Sequence, residues 1–111
     1  MAATAARLPI LVLTHLPDHA AAMELARALV KERLAACVNV GAPVQSMYHW
    51  QGEIETAQET PVAIKTRSAL YPRVEAAILA SHPYELPDIV AVPLSDGLRS
   101  YFAWLDAETA A

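Results

Sequence analysis

The sequence is short of the residues from which several common kinds of chemistry are built. It has one cysteine, Cys37, and three glycines in 111 residues. A lone thiol forms no internal disulfide and fits a reducing compartment. Gly41, Gly52 and Gly97 are scattered, so they make no loop that cradles phosphate on backbone amides. No G-x-S-x-G, H-E-x-x-H or closely spaced zinc-ligand pair occurs. No apolar run nears the roughly 18 residues needed to span a bilayer. Residues 1–7 lack the basic and apolar regions of a secretory leader. The net charge is −4 and the lysines and arginines are dispersed, leaving no basic footprint for nucleic acid. These absences lead us to expect a cytoplasmic chain with no membrane, nucleic-acid or organic-cofactor partner, and not an enzyme.

What is present in quantity is apolar side chain. Hydrophobic residues make up 55% of the sequence, above the usual ~45–50%. The length fits one domain, commonly about 100–150 residues, built on one core. We expect residues 1–7 to be a frayed tail and 8–111 a single domain, with some apolar surface left for another subunit to cover.

Residues 8–16 form a nearly continuous apolar run, which predicts a first strand buried on both faces. Pro17 breaks it, and Asp18 is a fitting N-cap for a helix to about Leu34. In that helix Glu24, Arg27 and Lys31 mark a wet stripe, and Met23, Ala26 and Val30, beside Leu25 and Leu29, mark the opposite one. Residues 36–49 and 53–67 read as two strands joined by a tight Gln51-Gly52 turn. Gly41, Pro43 and Pro61 imply bends within the arms. Ser68 or Thr66 starts a second helix to about Ser81, with Leu70, Val74, Ala77 and Ile78 on its apolar side and Pro72 in its first turn. Residues 82–87 are a turn and 89–94 a short strand. Ser95 or Asp96 caps a last helix with Leu98, Tyr101, Phe102 and Leu105 on one face.

The order β-α-β-β-α-β plus a terminal helix predicts an α+β, ferredoxin-like split β-α-β antiparallel sheet. Two strands joined by a two-residue turn must be antiparallel neighbours, which disfavours a flavodoxin-like order. Each hairpin arm spans roughly 45 Å, whereas a 17-residue helix covers only about 25 Å. The long hairpin therefore overhangs the helices. If Val62, Ile64 and Thr66 meet the helices, Cys37 and Lys65 face the other way, onto a surface suited to a neighbouring subunit.

Two groups of residues carry candidate chemistry. Cys37, His15, His19, His49 and His82 offer the thiolate and imidazole groups that copper and zinc prefer. Cys37 also fits a small buried residue, His82 a turn residue bonded to backbone, and His19 and His49 solvated positions. The second group is Glu59, Lys65, Tyr84, Glu85 and Asp88, with Trp50 and Trp104. Glu59 and Lys65 share a sheet face but lie about 20 Å apart along a straight strand. They therefore suit partners on another subunit, in interface ion pairs or in a cleft.

Several of these residues sit in longer motifs. Ala35-Ala36-Cys37-Val38-Asn39, Ser46-Met47-Tyr48-His49-Trp50-Gln51-Gly52 and Glu59 with Ile64-Lys65-Thr66 occur in that order, followed by His82-Pro83-Tyr84-Glu85-Leu86-Pro87-Asp88-Ile89 and Tyr101-Phe102-Ala103-Trp104-Leu105. From about Pro9 to Leu105 the chain resembles the CutA divalent-cation tolerance proteins. The resemblance implies a homotrimer similar to the PII signalling proteins, with long hairpins pairing between subunits, and a part in tolerance to copper and other divalent metals. By position, Trp50, Glu59, Lys65, His82, Tyr84 and Glu85 would line clefts between subunits, with Trp50 meeting Lys65 and Tyr84 of another chain. His82 would be a copper ligand, with Cys37 and His15 as further metal candidates. Thr14 and Ser81 stand where some bacterial members have a cysteine and a second histidine. The alternative expectation is a signalling or scaffold trimer that binds a small anionic metabolite through Lys65, Trp50 and Tyr84.

Overall fold

The structure, a computed structural model, describes residues 7–110. Most of the expected tail, residues 1–6, and residue 111 lie outside the described residues. Arg7, counted with that tail, is tied down by an ion pair to Asp106 at 2.8 Å.

The chain runs β1 (Pro9–Leu16), α1 (His19–Lys31), β2 (Cys37–Val40), β3 (Val44–Trp50), β4 (Glu53–Arg67), α2 (Tyr71–Ser81), β5 (Ile89–Pro93) and α3 (Arg99–Glu108). A 3-10 turn over Ser68–Leu70 leads into α2. All strand pairs are antiparallel in the order β2-β4-β1-β5, and β3 continues the pairing of β2 farther along β4. This is the α+β, ferredoxin-like sheet read from the sequence, with one change. The strand expected over 36–49 is two strands separated at residues 41–43. Pro43 has no N–H for the ladder, and the Gly41 N–H bonds the Pro61 carbonyl at 2.9 Å. A Cβ at Gly41 would stand 2.9 Å from Pro61 Cγ, so the break accepts only glycine without local rearrangement.

Alternation along β1 and β4 builds the core. Ile10, Val12 and Leu16 join Val62 and Ile64 against Leu25 and Leu29 of α1 and Val74 and Ile78 of α2. Strand β1 is thus half-buried, alternating between its faces, and not buried on both. On α1, Met23 and Val30 are exposed, and the buried positions are Ala22, Leu25, Ala26 and Leu29.

Helix ends explain the other shifts from expectation. Asp18 caps α1, its carboxylate accepting from the Ala21 N–H at 2.8 Å. The helix stops at Lys31, short of Leu34, because Arg33 turns left-handed at φ 58°, and the amides of Leu34 and Ala35 close on the Leu29 carbonyl. Neither Thr66 nor Ser68 caps α2. Thr66 is the penultimate residue of β4, its hydroxyl donating to the Leu34 carbonyl at 2.7 Å, and Ser68 opens the 3-10 turn. Pro72 lies in the first turn of α2, where its missing N–H costs nothing. Helix α3 begins after Leu98, not at Ser95 or Asp96, because the Phe102 ring packs against Gly97; a Cβ there would lie 2.4 Å from the ring.

Helix α3 also lies on the face that was expected to be bare. Lys65 Nζ sits 5.6 Å from the Tyr101 ring centroid, and Arg67 bonds Thr109 and the Ala110 carbonyl. Of its predicted stripe only Leu105 is buried, while Leu98 is exposed.

The hairpin overhangs as the lengths require. Strand β1 pairs with β4 only over Thr60 to Arg67, so the part of β4 from Glu53 to Glu59 has β3 as its one partner. Gln51 and Gly52 take φ of 50° and 84°, the mirror-image turn that matches strand twist. The molecule measures 50 × 25 × 23 Å, its long axis far beyond the others.

Two threonines on the core face make a matched test. Thr66 is fully buried and bonded, whereas Thr14 Oγ1 is buried with no partner among the described residues. Burying an unsatisfied hydroxyl costs about 1–3 kcal/mol, and a satisfied one contributes about 1 kcal/mol. Urea unfolding should therefore find Thr14→Val more stable than the parent and Thr66→Val less stable, each by roughly 1 kcal/mol. The reverse order would show that Thr14 has a partner.

Candidate functional site

The ribbon faces the turn between α2 and β5 along the length of β3 from Ser46 to Trp50, and a groove of about 820 Å³ lies between them. His15 from the end of β1, Trp50 from β3, Glu59 from β4, and Tyr84 and Glu85 from the turn all line it. His49 and Asp88 line it too, so seven residues singled out in the sequence are gathered in one chain, and Tyr48 joins them.

Alternation places His15 here. Thr14 points into the core, so His15 points away from it. Its ring Nδ1 lies 2.7 Å from Asp88 Oδ2. The Nε2 atom has no hydrogen-bond partner among the described residues. A carboxylate on one ring nitrogen fixes the tautomer and leaves the other nitrogen as a lone pair, the arrangement common behind metal-binding histidines.

His82 is differently placed. It follows α2 and is buried, its Nε2 donating to the His15 carbonyl at 2.6 Å. The Tyr84 backbone N–H donates to its Nδ1 at 3.2 Å. A carbonyl can only accept and an amide N–H can only donate, so both ring nitrogens are committed. As folded, His82 cannot be the copper ligand expected of it. It holds the turn against β1, with the Tyr84 ring tilted beside it at 4.5 Å.

Glu59 is 7% exposed at the junction of sheet and ribbon, with the Tyr84 hydroxyl near enough to feel its charge. Burial, then the nearby Glu59 carboxylate, raise the Tyr84 phenol above its ordinary 10.0, with Tyr48 and Asp88 adding to the effect. The groove is a negative environment. Glu59, Glu85 and Asp88 line it, and no lysine or arginine does.

Cys37 and Lys65 lie elsewhere. They are register partners in β2 and β4, four positions along β4 from Pro61, which pairs with His15. That is about 13 Å along the strand. The expected metal set of His82, Cys37 and His15 is not brought together, and no group of three or more His, Cys, Asp or Glu side chains among the described residues forms a metal-holding cluster. Trp50 and Tyr84 line a groove of their own chain, and Lys65 is turned to Tyr101. The contact that sequence reasoning missed is His15 to Asp88, separated by 73 residues. Tyr48 was passed over as well, its only signal being its place in the Ser46–Trp50 motif.

Comparisons with known proteins agree on one family. The model of the CutA1 divalent ion tolerance protein family matches residues 10–108. The divalent-cation tolerance protein CutA of Thermus thermophilus is 43% identical over 98 residues, covering 88% of this chain and 95% of that protein. A solved structure of the Cut A1 protein from Thermus thermophilus superimposes with a TM-score of 0.91 at 41% identity, over 93% of this chain and 100% of that one. A CutA structure from Archaeoglobus fulgidus, described as periplasmic, gives a TM-score of 0.88 at 34% identity, over 91% and 98% of the two chains. The CutA homolog of Danio rerio is 37% identical over 86% of this chain, which spans 63% of that relative's length. Among the described residues, no helix is long and apolar enough to cross a membrane. With the fold, the motifs and these relatives in agreement, the chain belongs to the CutA1 divalent ion tolerance protein family.

Proposed function

We propose that this chain serves divalent-cation tolerance by binding a divalent ion, copper or zinc, weakly at His15 in the groove, as a cytoplasmic homotrimer. The observation that carries this reading is the His15–Asp88 pair. Its 2.7 Å contact orients the imidazole and leaves Nε2 available beside Glu59, Glu85 and Asp88. Imidazole nitrogen suits both metals, and copper binds tightest at a given site. One imidazole with flanking carboxylates, and no three-donor cluster among the described residues, supports a weak site in a single chain. Self-assembly is supported by the overhanging ribbon and its exposed Met47 and Ile54, and a cytoplasmic location by the single unpaired thiol.

A small anionic metabolite has less support as the ligand. Lys65, the cation it was to use, lies over Tyr101, and the groove's ionic lining is acidic.

Calorimetric titration with copper(II) tests the site. The parent should bind saturably, and His15→Ala should weaken binding about 10-fold or more. His82→Gln and Cys37→Ser should stay within about threefold of the parent, a change below 1 kcal/mol. Equal binding by His15→Ala and the parent, or no saturable binding below millimolar copper, would refute it.

A further inference from the structure

A metal ion needs little space, and this groove has much. Its volume of about 820 Å³ falls in the roughly 300–1,000 Å³ range of sites that hold small organic molecules. Its lining has two characters. Three carboxylates, Glu59, Glu85 and Asp88, supply negative charge with no lysine or arginine to neutralise it. Leu86, Ile89 and Val90 supply an apolar wall. Between these lie the rings of Tyr48, Trp50 and Tyr84, whose faces attract cations.

Glu59 sharpens the chemistry. It is more than nine-tenths buried and lines the groove. A carboxylate withdrawn from water is stabilised by a cation that also donates hydrogen bonds. A primary ammonium does both.

We propose that the groove binds an aliphatic diamine. One ammonium lies against Glu59 near the Tyr84 ring, the alkyl chain follows the apolar wall, and the second ammonium meets Asp88 or Glu85. This inference rests on the groove being a ligand site, as above, but it draws on the Glu59 charge and the Tyr84 ring where metal binding draws on the His15 ring nitrogen. An anion of the same length lacks any partner there. A neutral diol lacks the charge that the carboxylates and rings recognise.

The test is calorimetry at low salt with 1,4-diaminobutane, using 1,4-butanediol and succinate as neutral and anionic probes of similar length. The diamine should bind saturably and the other two should not. Glu59→Gln should weaken diamine binding about 10-fold, as expected for a lost charge-assisted hydrogen bond. Tyr84→Leu should weaken it about 3- to 10-fold. Tyr84 sits half-buried in the turn between α2 and β5, so its variant decides the matter if Glu59→Gln does not fold. Diamine binding that is absent, matched by the diol, or unchanged in the folded Glu59 or Tyr84 variant overturns the inference. Copper binding without diamine binding defeats this inference alone, and diamine binding without copper binding defeats the metal reading alone.

Discussion

Strand β4 has fifteen residues and its neighbour β1 has eight, and this mismatch organises the molecule. From Thr60 onward β4 is a central strand, with β1 on one side and β2 on the other and its alternate side chains closed in by α1 and α2. Before Thr60 it is half of a two-stranded ribbon, a form that is marginal in water on its own. Glu59 stands at the change. Its carboxylate is buried although it lies at the edge of the region that β1 covers, because the turn between α2 and β5 folds over it and supplies Tyr84.

The same turn depends on β1. His82 spends both ring nitrogens on backbone, one on His15 and one on Tyr84, and so pins the segment that carries Tyr84, Glu85 and Asp88. Asp88 then reaches back to the His15 ring. Two histidines in contact along one strand end thus have different roles, which follow from what their nitrogens touch. One positions the wall of the groove and the other presents a free nitrogen to it.

Much of this fold is legible in the sequence, and the reasons are local. The alternation of β4, the Asp18 cap and the Gln51-Gly52 turn each depend on near neighbours, so element order and sheet topology followed. What depends on distant contacts was not legible. The start of α3 is set by Phe102 against Gly97, and its placement beside Lys65 and Arg67 covers a face that alternation alone left open. In the site, motif order singled out Trp50, Glu59, Tyr84 and Glu85, and imidazole chemistry singled out His15; all five line one groove. It could not pair His15 with Asp88, nor separate Lys65 from that groove, because periodicity says which face a residue takes and not what stands opposite.

The ribbon remains the part that one chain does not complete. Its outer faces carry Met47 at 73% and Ile54 at 67% exposure, and the edge strand β5 exposes Val90 and Val92. Unpaired edges and exposed aliphatic groups together favour strand pairing with further copies of the chain. Light scattering on the purified protein at micromolar concentration tests this most directly. The account predicts three times the mass of the chain, and a clean monomer would contradict it.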